Sequence, residues 1–539
     1  MKVSLEGIKE SKDQYAQAGV KLPLYDVKEV TATTVANPTW FHMGSGNIFR
    51  GFIGSLQQEL LNQGIEKTGI CTLTIFKGEE IELICNPHDN LITNVTLLPD
   101  TSVEIELLGS VVANYRCNGE YDEEMEAVVK AFRNPSLQMF SYTITEKGYA
   151  LKDMAGEYLP AVKADFENGP AAVLRNGMAL TCALLFERFK AGRLPLAVVS
   201  MDNCSHNGEN LKQAVLTVAD EWLKRGFVDQ DFIDYLNDDK TISFPWSMID
   251  KITPRPDPRI AKLLNEKGLE DMDPIKTSSG TFIAPFVNAE KPQYLVIEDN
   301  FPNGRPALDK VGVLFTTREK VDLCERMKVT TCLNPLHTAL AVYGCVLGYD
   351  LIAKEMDDKD LVALVSRLGY KEGLPVVDDP EILSPKAFID EVIEQRLTNR
   401  SLPDTPQRIA TDTSLKVPVR FGQTLKNYQK RGMDASSLKA LPLAIAGWLR
   451  YLLAVDDNGN KFEPSADPQM AYLQGLMAGI EFGKPETVGD KLKPILENAN
   501  LFGVNLYDVG LGKVVETMFA EEIAGVGAVR ATLQKYLAD

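Results

Sequence analysis

The sequence predicts an α/β domain with a parallel sheet followed by an all-α domain, and three observations predict it. The run Leu196-Ala-Val-Val-Ser200 is apolar almost without interruption, as a strand covered on both faces of a parallel sheet must be. Strand-like runs at 39–43, 69–76 and 138–145 each give way to a turn or a helical stretch, the alternation that βαβ units leave in a sequence. Beyond about residue 305 the apolar residues recur at helical spacing and strand alternation stops.

A chain of 539 residues suggests two or more domains. The expected division is an N-terminal extension over 1–36, the α/β domain over 37–303 and the helical domain over 304–539, with Gly304-Arg305-Pro306 at the crossover. Hydrophobic residues make up 45% and charged residues 24%, the balance of a soluble enzyme. The net charge of −18 argues against nucleic acid or an anionic membrane as partner, since both require a basic surface. A small anionic substrate needs only a local basic pocket and stays open. Eight cysteines are scattered with no C-x-x-C pair, and Met1-Lys-Val-Ser-Leu-Glu6 is no secretory signal, which together suggest a cytoplasmic location. Four histidines, His42, His88, His206 and His337, show no metal-ligand spacing, so no metal is expected. No apolar run approaches the roughly 20 residues of a membrane span. Nothing in the sequence specifies an oligomeric state.

Residues 1–36 are polar and mixed and read as an extension on the surface. Thr39-Trp-Phe-His-Met43 then reads as a strand, Gly44-Ser-Gly46-Asn47-Ile-Phe-Arg50-Gly51 as a turn, and Phe52 to about Asn62 as a helix. Strand, glycine turn and helix form the Rossmann-type arrangement that lays a pyrophosphate on a helix N-terminus, with glycines letting the backbone approach. Phe49 stands where G-x-G-x-x-G has its third glycine, so the motif alone fits an ordinary tight turn as well. Gly69 to Phe76 reads as the second strand, after which an acid is expected to bind the cofactor ribose. The residues there are Lys77-Gly78-Glu79-Glu80. Glu79 favours NAD and Lys77 would tolerate the 2′-phosphate of NADP, so NAD comes first and NADP stays open. Alternatively, both glutamates are first-turn helix charges.

His88–Leu97 and Val103–Leu108 alternate as a hairpin with Pro99 and Asp100 at its turn. Glu120–Arg133 and Ala172–Ala191 read as helices, and Gln138–Thr145 as a strand. Leu196–Ser200 delivers Met201-Asp202-Asn203-Cys204 at its carboxyl end, where ligands of open α/β sheets sit. Asn207-Gly208 turns the chain into a helix, Glu209–Lys224; a capping Asn-Gly loop explains these residues equally well. Asp250 closes Phe244-Pro-Trp-Ser-Met-Ile-Asp250, where an aspartate also commonly bonds backbone amides.

In the second half helices are expected over 320–327, 335–349, 357–368, 385–396, 442–454, 468–482, 490–499 and 514–537. The stretch Glu325-Arg-Met-Lys328-Val-Thr-Thr-Cys-Leu333-Asn334-Pro-Leu-His337 leads into an uncharged run ending at Tyr349, a helix buried on every face. Burial depresses a lysine pKa toward the range useful for acid–base work. Asn334 and His337, three apart, share a helical face and suit a polarised oxygen while Lys328 moves a proton. The competing reading is a helix start with a snorkelling lysine and a capping asparagine. Arg400 to Arg420 is rich in turn formers and reads as an ordered loop, in which Arg408 and Lys416 alternate with Ile409, Ala410 and Val417. Arginine offers a planar fork to a carboxylate and lysine a point charge.

Five of these stretches, at 196–208, 244–254, 294–306, 325–349 and 404–418, together resemble the mannitol dehydrogenase family of polyol-specific long-chain dehydrogenases and reductases. The Lys328–His337 stretch is similar to the family's Lys-x-Arg-x-Leu-Asn-x-x-His signature. Two departures stand out: five residues separate Lys328 from Asn334 where the family has four, and a threonine replaces the arginine. An extra residue turns a regular helix by about 100°, which a π-bulge would absorb. The resemblance implies Lys328 as general acid/base, Asn334 and Asn203 as the amides that polarise the carbonyl, His337 as the residue orienting the substrate, and Glu325 as a proton relay. It implies substrate contacts for Asp250, Arg408 and Lys416, and cofactor contacts for Gly44, Gly46, Asn47 and Arg50, beside Glu79 and Asp202.

The implied activity is reversible hydride transfer between a nicotinamide and a secondary alcohol or ketone of an open-chain sugar acid or polyol, at a site between the two domains. The segment from Asp404 to Ser414 looks closest to members acting on fructuronate and mannonate, with tagaturonate/altronate and mannitol/fructose next. A cofactor-bound sugar-acid epimerase and a non-catalytic nucleotide sensor are the readings from other classes.

Overall fold

The computed structural model describes residues 1–538. By its internal contacts the chain divides into two compact units, residues 1–98 with 102–322 and residues 99–101 with 323–538.

The first unit is organised on a six-stranded parallel sheet: β1 (Trp40–Met43), β2 (Ile70–Thr74), β3 (Val111–Arg116), β4 (Met139–Tyr142), β5 (Leu196–Ser200) and β6 (Ile242–Ser243), in the order β3-β2-β1-β4-β5-β6. The order reverses beside β1, the switch point at which open α/β sheets bind ligands. Register explains the composition. Trp40 pairs with Ile70 and Met139, and Met139 with Ala197, and this row packs into one apolar cluster. The next row, Phe41, Cys71, Phe140 and Val198, packs into the cluster on the opposite face. Both faces are therefore apolar, which is why β5 shows no alternation.

The expected hairpin forms: Ile92–Leu97 pairs antiparallel with Val103–Leu108, flanked by Val20–Lys21 and Phe286–Glu290 in a four-stranded sheet. Residues 1–36 differ from the expected surface extension. They carry the helices Leu5–Gln17 and Val27–Ala36, and Val3 and Tyr15 are fully buried. The weak periodicity of so short a helix hid those two anchors. Strand pairing also continues past 305, where Leu314–Thr316 joins Tyr294–Glu298 in parallel. The helix expected from Ala172 begins at Gly177, because the Asn176 side chain caps it by accepting from the Met178 and Ala179 amides.

The second unit is helical. Its central helix, Asn334–Leu347, buries every residue from Thr338 to Val346 and ends at Gly348 with φ +81°. The single helix expected over 514–537 is two, Gly512–Glu522 and Ala528–Leu537, broken at Gly525 and Gly527 with positive φ. The expected helix over 468–482 shrinks to Met470–Leu476, and that over 490–499 to Lys493–Leu496.

A buried pair holds the central helix. The Tyr343 hydroxyl lies 2.7 Å from Leu443 O and 2.6 Å from Glu522 Oε1. One proton cannot serve both acceptors, so Glu522 supplies the second from a neutral carboxyl. Burial raises its pKa to about 8 in keeping with this. Glu522→Gln, which keeps a neutral donor there, is expected to shift Tm at neutral pH by less than about 2 °C. A collapse of Tm in a thermal scan would mean that the carboxylate charge itself is required.

Candidate active site

The glycine turn follows β1. Gly44 has φ +103°, and a Cβ there would lie 2.7 Å from Thr143 O, so only glycine fits. Gly46 is the opposite case: a Cβ would meet nothing within 4 Å. The fold itself does not require glycine there. Asn47 Nδ2 donates to Pro254 O at 3.1 Å and pins the turn to the 244–254 segment. The following helix begins with a π-helical turn, Phe49–Ile53, and becomes regular over Gly54–Asn62, earlier than the expected start at Phe52. That turn carries Arg50, whose buried Nη2 has no hydrogen-bond partner among the described residues and whose pKa burial lowers.

The two carboxylates expected at the cofactor are already engaged. Glu79 accepts from the Ser278 amide at 2.8 Å and from its hydroxyl, and these bonds lower its pKa and keep it anionic. Glu80 accepts from Ser45 of the glycine turn at 3.1 Å, so it is the glutamate that touches the turn. Asp202 accepts from the Ile144 and Thr145 amides at 2.9 and 2.8 Å and from the Tyr149 hydroxyl at 2.5 Å. It thus holds Thr145 at φ +64°, a task of positioning. Asn203, one residue on, is exposed. Asn207 locks the loop: its Nδ2 donates to Asp202 O and Ser247 O at 3.0 Å, and its Oδ1 accepts from Ser247 N. A Cβ at Gly208 would lie 2.8 Å from Phe244 O, so the 203–208 and 244–250 segments interlock. Asp250 is buried at the end of strand Ser247–Asp250, paired in register with Tyr294.

In the second unit, Glu325 sits in the helix Arg318–Met327, one turn before Lys328. Lys328 is only 2% exposed and opens a π-helical turn, Lys328–Cys332. The Leu333 amide reaches back five residues to Lys328 O at 3.1 Å. That wide turn takes up the extra residue between Lys328 and Asn334. The two threonines fit it: Thr330 Oγ1 donates to Arg326 O at 2.7 Å, and Thr424 Oγ1 to Thr330 O at 3.1 Å. Leu333 then breaks the helix with φ −127° and ψ −63°, and Asn334 opens the central helix. Asn334 is partly exposed, and its side-chain amide makes no hydrogen bond among the described residues.

His337, one turn on, has Nε2 at 3.1 Å from Asp404 Oδ2, although the pair is not aligned as a hydrogen bond. Burial, then the charges of Arg420, Arg408, Arg396 and Lys416, push its pKa down to about 3. The imidazole is therefore neutral, and Asp404 does not reverse this because it already pairs with Arg408.

The expected loop over 400–420 is instead two short helices, Pro406–Ile409 and Thr413–Arg420. Thr405 caps the first through the Arg408 amide, and Asp467 accepts from Ser414 N and Oγ to start the second. Arg408 is mostly exposed and pairs with Asp404; Lys416 donates to the carbonyls of Ile409 and Thr411. Three charged residues near His337 had no site role expected from the sequence: Arg396, 4% exposed, Asp404 and Arg420. Arg420 follows Lys416 by four, a helical spacing that Pro418 disguised.

The strand order with its glycine turn is that of a nicotinamide-dependent dehydrogenase, and a buried lysine followed by asparagine and histidine on one helical face suits secondary-alcohol oxidation. Residues 39–310 match the mannitol dehydrogenase Rossmann domain, and residues 320–520 the mannitol dehydrogenase C-terminal domain. The chain belongs to the mannitol dehydrogenase family. It is 49% identical to a D-mannonate oxidoreductase of Thermotoga maritima over 99% of both chains, and 29% identical to that of Escherichia coli over 88% of this chain and 92% of the other. At 24% identity it shares its fold with Pseudomonas fluorescens mannitol 2-dehydrogenase in a ternary complex with NAD and D-mannitol (TM-score 0.69, covering 100% of both chains). The same holds for a substrate-free D-sorbitol dehydrogenase (TM-score 0.77, 95% and 97% covered), also at 24% identity.

Proposed function

We propose that this enzyme interconverts fructuronate and D-mannonate. The observation that carries the reading is the gathering of four cations, Arg396, Arg408, Lys416 and Arg420, about the neutral His337. In an acidic chain of net charge −18 these four cations stand together, with Asp404 paired to Arg408 and with Asp412 and Asp467 acting on Lys416. Arg408 and Lys416 match positions that the polyol enzymes of the family share, so Arg396 and Arg420 are the cations that favour a sugar acid over a neutral polyol.

The residues of the first unit fit a nicotinamide dinucleotide. Gly46 is open to a close approach, Arg50 is a buried cation suited to a phosphate, and the anionic Glu79 suits a ribose hydroxyl better than a 2′-phosphate, which supports NAD. When bound, the cofactor supplies the hydride. This chain's part is then to hold and protonate the ketone oxygen. Asn334 and Asn203 donate amide hydrogens to it, and Lys328 gives it the proton as alkoxide charge develops. Glu325, one turn earlier, passes a proton to Lys328, and His337 orients a substrate hydroxyl. Asp250 contacts the substrate in the same proposal.

Consumption of reduced nicotinamide with fructuronate tests this. One cofactor oxidised per sugar acid reduced is expected; turnover without net change would assign the chain to the epimerases.

The cation cluster also predicts a pH dependence. Burial, then Arg420, lower the Lys416 pKa to about 8. Lys416 is charged below that value and neutral above it, so the Kd for D-mannonate is expected to rise as pH passes upward through about 8. In Lys416→Met that rise should disappear; a profile unchanged by the substitution would remove Lys416 from anion binding.

A further inference from the structure

We infer that Arg420 is the residue that recognises the substrate carboxylate, an assignment that rests on the sugar-acid reading above. The two cations that the sequence motif offers for this task have other engagements. Arg408 pairs with Asp404, and Lys416 donates to two main-chain carbonyls that end the Pro406–Ile409 helix. Arg420 has neither kind of partner. Among the described residues no carboxylate pairs with it, and its one hydrogen bond goes from Nη1 to Thr338 Oγ1 at 2.6 Å.

That bond fixes its place. Thr338 Oγ1 in turn donates to Asn334 O at 2.9 Å. Asn334, His337 and Thr338 stand at i, i+3 and i+4, so they lie together on one face of the central helix. Arg420 is therefore anchored on the face that presents the proposed carbonyl-binding amide and the orienting imidazole. It is also the first of the four cations acting on His337.

Electrostatics agree. Burial alone lowers the Arg420 pKa to about 10, and no acid offsets it. A desolvated guanidinium without a counter-ion is costly to keep, which makes it a candidate functional group. With Nη1 held by a hydroxyl, Nε and Nη2 remain to donate in parallel to two carboxylate oxygens. That fork geometry separates a carboxylate from the hydroxymethyl group of a polyol. Thr338 acts as a positioning residue, setting the plane of the fork.

The test compares D-mannonate with its neutral analogue D-mannonamide, by calorimetry on the enzyme saturated with NADH, with which neither alcohol reacts. The parent is expected to prefer the acid by about tenfold to over a hundredfold, the range of a charge-assisted pair. In Arg420→Gln that ratio should fall to near one. In Arg420→Lys, which keeps the charge and loses the fork, it should fall in between, and this second variant serves if the glutamine variant does not fold. A ratio unchanged in either variant overturns the assignment. A parent that binds acid and amide alike overturns the sugar-acid reading before any variant is made.

Discussion

Lys328→Ala is expected to lower kcat by about 10² to 10⁴, the usual cost of losing a general acid–base, while the affinity for nicotinamide stays that of the parent. The two halves of this expectation have separate grounds. The lysine is 2% exposed at the mouth of the central helix, three residues after Glu325 and six before Asn334. The glycine turn, Arg50 and Glu79 all belong to the first compact unit, and Lys328 to the second. Single-turnover reduction of fructuronate isolates the chemical step, and added primary amine should restore part of it. Near-normal turnover in the variant would leave Lys328 a structural residue of its π-helical turn and make His337 the next candidate donor.

Gly46→Val should raise the Kd for NADH by orders of magnitude and leave Tm almost unchanged. The contrast with Gly44 makes this decisive. A side chain at Gly44 would collide with the Thr143 carbonyl and disturb the fold, whereas one at Gly46 meets no protein atom within 4 Å. Any loss at Gly46 therefore reports a clash with a ligand, and a pyrophosphate at the helix N-terminus is the ligand that comes that close. Parent-like NADH binding, measured by fluorescence titration, would place the cofactor elsewhere.

The parts legible in the sequence were those set by local pattern. A run such as Leu196–Ser200 has no polar face to expose, so its burial in a parallel sheet follows, and with it the carboxyl-end position of Asn203. The 92–108 hairpin followed from alternation. What the sequence hid were long-range pairings. Glu79 is plain in the sequence as an acid after the second strand, while its partner Ser278, nearly 200 residues on, is not. Asp202 stood at the ligand end of β5, yet its oxygens face the amides of Ile144 and Thr145. Arg408 and Lys416 were plain as cations, while Asp404 and the Ile409 and Thr411 carbonyls as their partners were not.

The turn formers between Arg400 and Arg420, Pro418 among them, predict a loop. In the structure Pro418 lies inside the helix Thr413–Arg420, where it has no N–H to give to the Ser414 carbonyl four residues back. The extra residue before Asn334 was visible only against the family pattern, and only the wide turn at Lys328–Cys332 shows where it goes.

If the cations about His337 select the substrate, this dehydrogenase is a sugar-acid enzyme. The most direct measurement is kcat/KM with NADH for fructuronate, tagaturonate and fructose under one set of conditions. The highest value is expected for fructuronate, a lower one for its epimer tagaturonate, and the lowest for the uncharged fructose. A higher kcat/KM for fructose than for fructuronate would contradict it and return the chain to the polyol branch of its family.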